Sequence, residues 1–182
     1  MVDGNVNIRD EVCDTRSTMS ITEQDLPRAL PHLAFDFFHF GFYRRRLEDG
    51  SLARCSPAVR QAVIYSLLLH FRVLWDFLYE SPIMDDCTVA HFRMIPEFAA
   101  AFPPPITKPA GAETLSKNLN KRLAHLTATR WRERQPDMSF YERYFDGIQT
   151  HMAAFQEALP IELRNSFLEN MQVFEGRYGE RL

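Results

Sequence analysis

The sequence predicts an all-α protein, a bundle of four to five main helices with one short extra helix and a proline-rich connection. Apolar residues recur at three- and four-residue intervals over long stretches, while strand-like alternation of apolar and polar residues is hard to find. Capping residues and prolines fall at the ends of those stretches. With 46% hydrophobic and 13% aromatic residues, including 15 Phe, the chain carries ample material for a core. Its 182 residues suit one domain.

Residues 1–20 are polar, lack helical periodicity and contain Gly4, Asn5 and Asn7, so they read as a flexible leader. The helical domain is then 21–182. In its first helix Ser20 and Thr22 are capping candidates, Pro27 and Pro31 are expected to break the start, and the helical pattern continues to Gly50. Phe35, Phe38 and Phe42 share one face, which Leu30 and Leu33 extend. The second helix is the clearest. Ser56 caps it, Pro57 suits its first turn, and no Gly or Pro interrupts it before Pro82. Apolar residues around Val63, Leu67, Leu74 and Phe77 nearly encircle its axis, as expected of a central helix.

A short helical piece follows, with Asp85 or Asp86 as its expected cap. Five prolines between 96 and 109 then predict a stiff, extended connection. Thr114 or Ser116 begins a helix that runs to about Gln135, before Pro136. Two final helices, "SFYERYFDGIQTHMAAFQEAL" and "PIELRNSFLENMQVFEGRYGERL", are separated by Pro160.

Composition removes several function classes. The net charge of −3, from 21 Lys plus Arg against 24 Asp plus Glu, argues against a basic surface for long duplex nucleic acid. Cys13, Cys55 and Cys87 are odd in number and show no CxxC spacing, which disfavours a disulfide framework or a structural zinc site. The N-terminus is acidic where a signal peptide is basic. No uninterrupted apolar run approaches the roughly 18 residues of a membrane span. A cytoplasmic location without membrane association is expected. Only seven glycines are present, and no phosphate loop, nucleophile elbow or HExxH motif occurs, so no cofactor is expected.

The chemistry-bearing candidates lie on two helices. On the central helix, "LLLHFRVLWDF" sets His70, Arg72 and Asp76 among apolar neighbours. Arg72 and Asp76 are four apart and can pair. His70 points to the interior or to an interhelical cleft, where an imidazole needs a hydrogen-bond partner. On the later helix, "NLNKRLAHLTATRW" brings Asn118, Arg122 and Thr129 within about 60° of His125, beside the stripe of Leu115, Leu119 and Leu126. An imidazole there suits general acid–base work because its pKa of about 6.5 gives access to both proton states. Arg122 or Arg130 would steady a phosphate or an anionic transition state.

Three further groups read as structural. Cys87 and His91, four apart near Asp85 and Asp86, supply too few ligands for a closed metal site and suit a capped short helix. His32 and His39 flank the first helix's aromatic face. The "YRRRLED" run, 43–49, suits a solvated helix end, where basic groups meet the negative pole of the dipole.

A polar residue, four intervening positions and a histidine on a later bundle helix resemble the HEPN (higher eukaryotes and prokaryotes nucleotide-binding) superfamily. Many of its members are metal-independent ribonucleases that act as dimers through an Arg-x4-6-His motif. Carried onto "NKRLAH", the resemblance aligns Asn120 with the motif arginine, Lys121 with the polar position after it and His125 with the histidine. It covers residues 30 to 155 at the level of helix pattern. The chain departs from the motif at Asn120, since an amide lacks the fixed positive charge that stabilises a pentavalent phosphate. The segments "LLLHFRVLWDFLY" and "LNKRLAHLT" also resemble small bacterial proteins of unassigned function, which implies no activity.

Two functions are therefore expected to compete. One is a helical interaction or oligomerisation module, homodimeric or bound to a protein partner, in which His70, Arg72, Asp76, Asn120 and His125 form a buried packing network. The other is a metal-independent ribonuclease or nucleotide-handling enzyme. There His125 would be acid or base, Asn120 would orient the phosphate or the imidazole, Arg122 or Arg130 would contact the phosphate, and RNA or a nucleotide would bind.

Overall fold

The computed structural model describes residues 21–81, 86–104, 106–112, 114–115, 118–119, 123 and 138–178. Among these, six α-helices and two 3-10 turns occur, and no strand. The leader, 1–20, lies outside them.

Thr22 and Asp25 start the fold with a capping box around the 3-10 turn Glu23–Asp25, the Asp25 carboxylate accepting from both the backbone N–H and the hydroxyl of Thr22. Helix α1, Leu26–Glu48, follows directly and is continuous through both prolines. The expected break is corrected here. Pro27 lies in the first turn, where an N–H has no intrahelical acceptor. Pro31 therefore forfeits only the bond to the Pro27 carbonyl. Gly50, at φ +71°, turns the chain after Asp49, a left-handed position suited to glycine.

Helix α2, Pro57–Tyr79, begins as the sequence predicts, with the Ser56 Oγ accepting from the Val59 N–H at 3.3 Å. It lies against α1, whose other long partner is the C-terminal helix. By length and composition α2 could also cross a membrane, but half of its most apolar window is buried in the protein, as in a core helix.

Helix α3, Val89–Phe92, is capped by Thr88 rather than by Asp85 or Asp86. The His91 Nδ1 accepts from the Thr88 N–H at 3.1 Å, which makes His91 a capping residue. Helix α4, Pro96–Ala101, corrects a second expectation, because Pro96 opens a helix at its first position instead of belonging to the extended connection. The extended chain starts after Phe102. It is held where Arg93 donates to the Pro103 carbonyl and lies over the Phe102 ring at 5.3 Å.

Helices α5, Met138–Ala158, and α6, Ile161–Tyr178, complete the described elements. Phe155 of α5 is the hub of the core: its ring meets Phe77 at 5.1 Å and Phe92 at 4.9 Å, both edge to face, and also touches Phe98, Phe102 and Phe167. Phe40 of α1 and Phe71 of α2 meet Phe145 of α5 in the same manner. At the end of α1, Arg44 does not remain in solvent as the sequence suggests. It reaches α5, with 2.7 Å to the Asp146 carboxylate and 3.0 Å to the Gln149 amide oxygen, while also bonding Glu48.

Candidate functional site

The structure gathers polar chemistry where α1 meets α2. His70 is buried, and its Nδ1 lies 2.7 Å from the Asp36 carboxylate of α1. A carboxylate only accepts, so Nδ1 carries the proton and donates it. His39, one turn beyond Asp36, has its Nδ1 2.8 Å from the Phe35 carbonyl, which fixes the same tautomer there. The two imidazoles stack with centroids 5.2 Å apart, and the Tyr43 ring stacks with that of His70 at 5.9 Å. From α6, Tyr178 approaches His39 edge-on at 5.1 Å, and Phe174 covers Phe35 at 5.4 Å.

This assembly joins three helices around two imidazoles and one carboxylate. His39 is only 6% exposed, and burial holds its pKa below the usual histidine value, with the neighbouring His70 acting in the same direction and the Phe35 carbonyl opposing. The site therefore favours neutral His39.

His70 thus finds a partner, as the sequence requires, but the network with Arg72 and Asp76 is not formed. Two residues along a helix is a rotation of about 200°, so His70 faces α1 while Arg72 projects from the opposite side. Arg72 pairs with Asp76 at 3.4 Å in a half-buried position, as their spacing predicts. Burial raises the Asp76 pKa despite Arg72, with Glu80 and Asp86 adding to the rise. Asn118 is half-buried, and its side-chain amide approaches the Thr114 hydroxyl at 3.5 Å. Asn120, Arg122, His125 and Arg130 lie outside the described residues, as does the cleft expected between their helix and α2.

A second polar pair joins α2 to α5. The Tyr79 hydroxyl and the His151 Nδ1 are 2.7 Å apart beside Gly147, where an added Cβ would stand 3.7 Å from that hydroxyl. Burial pushes the Tyr79 phenol up to about 12 and lowers the His151 pKa. At Cys87 burial raises the thiol to about 11, so it is a packed thiol rather than a nucleophile. No group of three His, Cys, Asp or Glu side chains is placed to hold a metal ion among the described residues.

Asp36, His39, Tyr43 and His151 were not singled out as site residues from the sequence. The signal for the first three was their shared face: positions 36, 39 and 43 follow a three- and four-residue spacing on α1.

The remaining feature is apolar. Val59, Ala62, Ser66, Leu69 and Val73 follow alternating three- and four-residue steps on α2 and fall within an arc of about 80°. Val59 is 49% exposed, Leu69 48% and Val73 39%, so this stripe faces away from the core. His70 and Phe35 border it, with Phe35 half-exposed and its ring 5.5 Å from that of His70. The central position expected of α2 holds among the described residues, since it packs on both α1 and α5, but part of its encircling apolar surface, this stripe, faces outward. Comparison with family models, with curated proteins and with solved structures yields no match.

Proposed function

We propose that this protein is a helical interaction module whose docking surface is the outer stripe of α2. The observation that carries this reading is the heptad-like spacing of uncharged, outward-facing residues from Val59 to Val73. Such a seam is the pattern through which one helix packs against another. Single exposed apolar residues are ordinary on a surface, whereas a row on one helical face marks a contact area. The Asp36–His70 pair supports the same reading, because it locks the α1 side of that surface in one arrangement with both imidazole tautomers fixed.

The test is a photo-crosslinking side chain placed at position 69 in living cells, beside a control at Glu162, an exposed position on α6. The reading predicts discrete adducts from position 69 that fade when Val73 is changed to Glu, with helicity retained. Adducts no stronger at 69 than at 162 would remove it.

A further inference from the structure

The α2 stripe has ends of opposite charge and layers of unequal size, and together these identify what covers it. At its C-terminal end stand Asp76 and Glu80, both half-buried. At its N-terminal end is the exposed Arg54, which closes the 3-10 turn Ser51–Arg54 just before the Ser56 cap. The helix dipole has the same polarity, positive at the start of α2 and negative at its end, so the acids stand at its unfavourable pole. Lys108 meets Glu80 at 2.7 Å, while Asp76 makes a longer contact, 3.4 Å, to Arg72. Between these ends the layers differ in volume, with Ala62 and Ser66 small toward the start and Leu69 and Val73 large toward the end.

Resting on the reading of α2 as the docking surface, we infer that its occupant is a second copy of this chain, laid antiparallel across a two-fold axis between Ser66 and Leu69. That register sets Leu69 against the partner copy's position 66 and Val73 against its position 62. Leu69 and Val73 thus each meet a small side chain, as a packed seam requires. It also sets Asp76 against Val59, within the first turn of the partner copy's α2 at its positive dipole end, and brings Glu80 level with Arg54 and Cys55, so each acidic end meets the positive end of a helix and the two dipoles oppose. A parallel pair would do the reverse: Asp76 would face its own copy, like charges would stack at both ends, and the Ala62 and Ser66 layers would leave gaps. Contacts of this kind are isologous, each residue pair occurring twice about the axis, and they close the assembly at two chains.

Two measurements on the full chain decide this. In sedimentation velocity over a hundredfold concentration range, the protein should pass from monomer to dimer, and Leu69→Glu should weaken the association by at least about 100-fold without loss of helicity. In disulfide trapping, Ala62→Cys and Val73→Cys chains should crosslink when mixed, above the background of the parent with its three native cysteines, and neither should crosslink alone. A monomer at every concentration, or a dimer indifferent to Leu69→Glu, overturns the second copy as occupant. Crosslinking of either variant with itself overturns the antiparallel arrangement. Failure here is separable from failure of the docking reading. Adducts at position 69 of a mass other than two chains would keep that surface and replace the partner.

Discussion

Asp36 and His70 join α1 and α2, the two longest described helices, through one short bond. Replacing Asp36 with Ala should leave the buried imidazole N–H without an acceptor and lower stability by about 1–3 kcal/mol. The readout is the urea midpoint, which should fall at constant slope. His39 gives a pH dependence with a definite sign. Its folded-state pKa is depressed by burial, so the neutral form is the one that folding favours. The stabilisation it supplies is present above the unfolded value of about 6.5 and is lost as pH falls below it. His151 is lowered for the same reason and acts in the same direction. Melting temperature followed at pH 7.5 and pH 5.5 should drop with acidification, and His39→Phe should shrink that drop. An equal drop in the variant would exclude His39 as a source.

The helices differ in how openly the sequence announces them. At α2 the Ser56 and Pro57 signals give the start to the residue, because side-chain capping is a local interaction written in adjacent positions. Prolines were harder to read. Pro31 lies within α1 and Pro96 opens α4, since whether a missing N–H matters depends on where the helix begins, and that is settled by Thr22 and Asp25 in one case and by the packing of Phe98 in the other. The Arg44 contacts with Asp146 and Gln149 join residues about a hundred positions apart, and no local pattern encodes them. His70 was recognisable as needing a partner, yet Asp36 could be found only once α1 and α2 were placed side by side. Two glycines allow opposite predictions. Gly41 lies inside α1, and an added Cβ would meet nothing within 4 Å, so Gly41→Ala should stabilise by about 0.5–1 kcal/mol. Gly50 holds φ +71°, so Gly50→Ala should destabilise by about 1 kcal/mol. Thermal melts of both variants check the pair, and a shared sign would refute the assignment of their roles.

Across the whole molecule, burial is distributed unevenly. Helices α1, α2 and α5 each contribute seven or more buried residues, whereas α6 contributes Phe167 alone and packs chiefly on α1. Local opening should therefore begin at α6. Hydrogen exchange should find its amides the least protected of the four long helices among the described residues. Phe167→Ala should raise α6 exchange selectively, at a cost of about 3–5 kcal/mol if the helix still docks and less if it detaches.

The position of α6 also has a consequence for synthesis. Phe174 and Tyr178 cover Phe35 and His39, yet more than a hundred residues separate them along the chain. A nascent chain that has already paired α1 with α2 still shows the ribosome's surroundings an uncovered aromatic surface on α1, until the last of these helices emerges. The interval between those two events is the time in which a chaperone could engage this protein, and slower translation of 138–178 would lengthen it.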